Sequence, residues 1–194
     1  MNTVGSGFPP AAAGAVGDGA LRVWDVDLRE GEVHAAPPRS LRGAWAGRVH
    51  AVALSPQADR VAVTVEGDRV VRILDAADGA LRVNLRHENT ADHADFAADG
   101  RRVVTTADGG LNLWAADGAL LAAIPSGLGT VYQAEFVGAG ARERVVTLSA
   151  DLRYRAWSIA PEAVVRSACD RLRDEAVLRE RAELRAACGA LPSR

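Results

Sequence analysis

Four residues of this chain each stand six positions after an aspartate: Trp24 after Asp18, Leu74 after Asp68, Trp114 after Asp108 and Trp157 after Asp151. The columns around them agree. One residue before the anchor are Val23, Ile73, Leu113 and Ala156; two before it are Arg22, Arg72, Asn112 and Arg155; three before it are Leu21, Val71, Leu111 and Tyr154. Apolar and polar positions alternate, which is the period of a strand with one side turned to a core. Four copies of one internal spacing make a repeat, and a repeat limits what a chain can fold into more than any single motif does.

The best-formed copy runs from Arg101 to Ile124, as three short apolar runs separated by Asp108-Gly109 and Asp117-Gly118. Asp-Gly between alternating apolar residues is a strong hairpin signal, because glycine adopts the positive φ that tight turns need. The anchors are 50, 40 and 43 residues apart. A period of roughly 40–45 residues with several short strands per unit is the signature of propeller blades. Trp24-Asp25 is the dipeptide of the WD repeat; Leu74-Asp75 keeps its aspartate, while Trp114-Ala115 and Trp157-Ser158 keep its tryptophan. On these residues the chain resembles the WD-repeat family from about Asp18 to Ser158. The resemblance implies an all-β fold, a partial β-propeller of four-stranded antiparallel blades, with a short C-terminal helical tail after it.

Residues 1–17 are rich in Gly, Pro and Ala, have little to bury, and are expected to be disordered. Residues 18–160 hold the repeats. The first unit is expected to be half a blade, starting at its third strand, Leu21 to Val26, with a fourth near Glu32 to Ala35. Two whole units follow. The first has strands near Val49–Leu54, Arg60–Val65, Val70–Asp75 and Ala80–Leu85; the second has strands near Ala91–Phe96, Arg101–Thr106, Gly110–Trp114 and Ala119–Ile124. The last unit has three, near Val131–Val137, Arg144–Ser149 and Arg153–Ser158. That makes about thirteen antiparallel strands and an arc of blades instead of a closed ring. Residues 161–194 change to a helical period, with Val165, Cys169 and Leu172 on one face and Asp174 placed to cap a second helix that ends at Gly189. The run from Ser167 to Leu172 resembles short helical tails that follow WD-repeat arrays in bacterial multidomain proteins.

Composition narrows the partners. The chain has 25 acidic and 23 basic residues, a net charge of −2, and no basic face, so neither nucleic acid nor an anionic membrane is an expected partner. No apolar stretch is long enough to span a bilayer and no targeting pattern is visible, so a cytoplasmic location is expected. Cys169 and Cys188 both fall in the helical pattern, where small buried thiols are common.

Candidate sites follow from the repeat. In WD repeats a His, a Ser or Thr, the turn Asp and the Trp form a hydrogen-bonded set within a blade. The resemblance places His87, Thr105, Asp108 and Trp114 in those roles. Thr105 is three residues before Asp108, whereas Thr64 and Thr147 are four before Asp68 and Asp151. The blade anchors are Asp18, Trp24, Asp68, Leu74, Asp151 and Trp157. The same Thr, His and Asp types also compose hydrolase triads, but a Thr on a buried strand without an oxyanion loop is a poor nucleophile. His87 and His93, with Glu88, Asp92 and Asp95, invite a metal reading, although His-x5-His is not an established ligand spacing. Trp45, Arg48 and His50 precede or begin the first strand of the second unit. They form a candidate protein-binding rim, since Trp and Arg dominate interfaces; the alternative is that Trp45 packs across its own loop.

The expected function is a non-catalytic protein-interaction scaffold without a cofactor, the C-terminal portion of a larger regulatory or signalling protein. Its expected partner is a protein, with further blades or self-association as additional possibilities. The alternative is an enzyme or metal-binding site using His87, His93 and Asp95.

Overall fold

The computed structural model describes residues 11–15, 21–29, 32–41, 45, 47–107, 109–125 and 129–159. Among them are fifteen strands, a 3-10 turn at Gly140–Arg142 and no α-helix. The first sheet holds β1 (Ala11–Ala15), β2 (Leu21–Arg29), β3 (Glu32–Ala35) and β4 (Arg39–Leu41). The second is a simple meander of β5 (Val49–Leu54), β6 (Arg60–Val65), β7 (Val70–Asp75) and β8 (Leu81–Arg86). The third repeats it with β9 (Ala91–Phe96), β10 (Arg102–Ala107), β11 (Gly110–Ala115) and β12 (Leu120–Pro125). The fourth has β13 (Val131–Val137), β14 (Arg144–Ser149) and β15 (Tyr154–Ser158). All pairings are antiparallel.

Turn chemistry sets these boundaries. Asp75, Asp78, Asp99, Asp117 and Asp151 each accept a hydrogen bond from the backbone N–H two residues on, at 2.8 to 3.2 Å. Such side-chain turns close a hairpin without help from distant residues. Gly79 and Gly118 supply the positive φ, at 78° and 99°.

Successive sheets pack face to face through three apolar clusters. The first joins Leu21, Val23 and Leu41 to Val61, Val63, Val65 and Leu74. The second joins Ala62, Val71 and Ile73 to Ala94, Phe96, Val103 and Trp114. The third joins Val104 and Leu111 to Ala134 and Val145. Each of β6 and β10 therefore buries both faces, which is why they read as nearly continuous runs, RVAVTV and RVVTTA. A recurring clamp ties the junctions. Arg60 donates to Gly100 O at 2.7 Å and lies over Phe96; one sheet later Arg102 pairs with Glu143 at 2.7 Å and lies over Phe136.

Two expectations differ at the N-terminal end. Ala11–Ala15 belongs to a segment expected to be disordered, yet it is a strand, and the first unit therefore begins one strand earlier than Leu21. Ala and Gly are poor strand formers, but here their small size matters more: Trp24 lies over Gly14, and Ala13 packs into the first cluster. The outer strand of this unit is also divided. β3 pairs with the far half of β2, and β4 with its near half. These two additions raise the strand count from about thirteen to fifteen. The expected helical tail, residues 161–194, lies outside the described residues, as do Asp18 and Asp108.

Candidate functional site

The anchors occupy one register position in each sheet. Trp114 lies opposite Val103 and Trp157 opposite Val145, each facing the preceding sheet. The residue two further along the partner strand shares that face, and in both sheets it is a threonine. Trp114 Nε1 donates to Thr105 Oγ1 at 2.8 Å and Trp157 Nε1 to Thr147 Oγ1 at 2.9 Å. In the second sheet Leu74 lies opposite Val61, and the next position is Val63. Where leucine replaces the tryptophan, valine replaces its acceptor. In the first sheet Trp24 lies opposite Ala12, and Gly14 stands at the acceptor position under the ring.

Thr64, which counting back from Asp68 equates with Thr147, faces the other way. Its Oγ1 accepts from Ala51 N at 2.9 Å and donates to Asp92 O of the third sheet at 3.2 Å. The Trp and Thr are nine residues apart in the third sheet and ten in the fourth, so a count from the aspartate slips between units. A one-residue slip in a strand moves a side chain to the opposite face.

The anchor aspartates Asp68 and Asp151 have partners that the sequence reading did not assign. Arg72 donates to Asp68 at 2.7 Å, and Arg155 donates to Asp151 at 2.6 and 3.0 Å. Partial burial raises the Asp68 carboxyl, but the Arg72 bond and charge, together with the backbone N–H groups of Arg69 and Val70, outweigh it and lower its pKa; the Arg155 bonds hold Asp151 down to about 2. The polar column two before the anchor was the available signal. In the third unit that column holds Asn112, whose amide lies 3.1 Å from His87 Nδ1. With Nδ1 accepting, the ring proton sits on Nε2, which is buried with no partner among the described residues. His87 packs edge-on against Trp114, ring centres 5.2 Å apart, and burial lowers its pKa. The expected approach of His87 to Asp108 lies outside the described residues.

No protein-family model matches the chain, and no curated protein matches it in sequence.

His87, His93 and Asp95 do not converge. His87 sits against Trp114 on the side of the second cluster, whereas His93 and Asp95 lie on the opposite face of the third sheet. There Asp95 Oδ2 accepts from Phe136 N of β13 at 2.8 Å, and His93 bonds the Ala134 backbone. Burial pushes Asp95 up to about 6 and lowers His93. Asp95 thus holds two sheets together. Among the described residues no group of three or more His, Cys, Asp or Glu is placed to hold a metal ion.

The rim takes a different form from the expected one. Trp45 is half-buried against the first apolar cluster, so it packs inward. Arg48 stays exposed and pairs with Glu66 at 3.3 Å. His50 is the extra residue of a β-bulge: Val49 pairs with Val65 and Ala51 with Thr64. The same one-residue bulge recurs at the same place in β9, at Asp92, and in β13, at Tyr132. These first strands pack side by side, so His50, Asp92 and Tyr132 form a row along one rim. His50 is exposed and Tyr132 is 53% exposed. The bulge pattern was hidden in sequence, because nothing in the residue types marks which position drops out of the ladder. Among the described residues no helix is long and apolar enough to cross a membrane.

Proposed function

We propose that the four sheets are blades of a WD-repeat β-propeller and that the chain is a non-catalytic protein-interaction scaffold, working in the cytoplasm as part of a larger regulatory or signalling assembly. The observation that carries this reading is the bulge repeated at His50, Asp92 and Tyr132 on three adjacent first strands. Bulges re-aim side chains at the margins of sheets. Here they present three chemically different groups beside Arg48, on a framework whose own hydrogen bonds are made elsewhere. Tyr and Arg carry much of the energy of protein interfaces. The Trp–Thr pairs and the sheet-to-sheet clamps supply the rigidity that such a rim needs.

A photo-crosslinking amino acid at Tyr132 tests this in extract from the source cells. One protein should be captured at Tyr132 and not by the same probe at the exposed Val33, with capture lost on Arg48→Ala plus His50→Ala. Equal capture at both positions, or capture indifferent to the paired substitutions, would refute the rim.

A further inference from the structure

The residue just inside each bulge is Ala51 on β5, His93 on β9 and Gln133 on β13. Of the three only His93 titrates. In the second sheet this position is bonded across to the next one. Ala51 lies opposite Thr64, whose Oγ1 accepts from Ala51 N and donates to Asp92 O. In the third sheet His93 lies opposite the wholly buried Thr106. There the ring's Nδ1 and the threonine's Oγ1 are both buried, and neither has a hydrogen-bond partner among the described residues. The bond to the Ala134 backbone of β13 therefore runs from Nε2. Nε2 carries the proton, and Nδ1 keeps a bare lone pair. Where Thr64 ties the second sheet to the third, an imidazole ties the third to the fourth.

Among the described residues nothing stands ready to share a second proton at Nδ1, and a buried charge without a partner is costly. The strands packed against β9 are β5, β6, β7, β10 and β13. From β13 Glu135 favours the charged ring, and from β5 His50 opposes it. Arg60 on β6 and Arg102 on β10 lie at the far end of the strands, over Phe96 and Phe136. On β7, Arg72 is held by Asp68 and Asp75 by Arg82. Burial prevails and keeps the His93 pKa below its ordinary 6.5, against Glu135 and the Ala134 bond. The linked stability is therefore full above 6.5 and is lost as pH falls through the lowered value. Asp95, two residues on at the same junction, is pushed up to about 6 and has the opposite sign.

We propose that His93 is a proton switch on the junction between the third and fourth sheets. Neutral, it ties β9 to β13 and keeps His50, Asp92 and Tyr132 in one row; protonated at Nδ1, it loosens that tie and the rim with it. The effect on partner binding rests on the scaffold reading, whereas the switch in the junction does not. His93→Gln keeps an N–H for Ala134 and cannot titrate, and glutamine is the residue at the matching place in β13. The full-length chain carrying Asp95→Asn removes the opposing carboxyl. In that background the thermal midpoint should fall from about pH 7.5 to about pH 5, the range in which a histidine changes charge. Adding His93→Gln should remove most of the fall, and adding His50→Gln should leave it. His93→Ala, which copies Ala51, is a second variant with the same expected result. A fall that survives both His93 substitutions, or that His50→Gln removes equally, would overturn the switch. In extract, the crosslinker at Tyr132 should capture less at the acid pH in the parent chain and equally at both in His93→Gln. Capture as acid-sensitive in His93→Gln as in the parent would overturn control of the rim by His93. A fall that goes with His93 while nothing is captured at either pH would refute the scaffold reading and support the switch.

Discussion

Leu74 and Trp114 stand at the same register position in adjacent sheets, yet one is packed against valines and the other donates to a threonine. The difference shows what the polar pair is for. A buried indole carries an N–H that must find an acceptor, and Thr105 provides it without leaving the face. Leucine has no such group, so a threonine at Val63 would bury a hydroxyl for nothing. The two sheets reach comparable burial by different chemistry, and their residues are not interchangeable one at a time.

Removing the ring breaks the comparison most severely. Trp114→Ala should cost about 3–5 kcal/mol in urea unfolding, because it empties the second cluster as well as orphaning Thr105. Exchanging the acceptors sharpens it. Thr105→Val and Val63→Thr should each cost about 1–3 kcal/mol, one by stranding an indole N–H and the other by burying a lone hydroxyl. If Val63→Thr is neutral, the valine is not chosen by the leucine opposite. Thr147→Val should cost less, under about 1 kcal/mol, because Trp157 is only half-buried and water reaches its ring. Equal costs for Thr105→Val and Thr147→Val would show that burial does not set the worth of the bond.

The smallest effect separates two aspartates by sign. Burial raises Asp95 from the ordinary 3.8 to about 6, against the lowering effect of the Phe136 and Phe96 N–H bonds; nearby Glu135 adds to the rise. The stability linked to Asp95 is therefore full below its unfolded pKa and is lost as pH rises through about 6. Asp95→Asn should remove that decline, so its thermal midpoint gains on the parent protein's between pH 3.8 and 6 and then holds the gain. Asp151, held down to about 2 by Arg155, behaves oppositely: its contribution is present above its unfolded pKa and fades as pH falls towards 2. A gain for Asp95→Asn that grows towards acid pH would contradict the assignment.

Much of the sheet structure was legible because local chemistry wrote it. The repeat spacing, with turn residues such as Ser55-Pro56, Asp78-Gly79 and Asp99-Gly100, places β5, β6, β7, β9, β13 and β14 at the expected residues, since each boundary depends on a few neighbours. β1 was not legible: Ala11–Ala15 has no strand propensity of its own, and only Trp24, on the next strand, makes small residues there useful. The site was less legible than the sheets. Thr64 and Thr105 look alike in sequence and face opposite ways, because hairpin loops of different length change the phase. Arg72 and Arg155 read as solvent-facing strand positions, but the hairpin folds each back onto its own aspartate. The rim at His50, Asp92 and Tyr132 depends on ladder irregularities that no residue type announces.

The meander order of the second and third sheets has a consequence for how the molecule is made. Each strand pairs with the one just before it, so closing a sheet joins residues that are already close along the chain, and the entropy lost in closing such short loops is small. Each finished sheet then offers its exposed face to the next one emerging from the ribosome. Assembly can therefore proceed in the order of synthesis, one unit at a time.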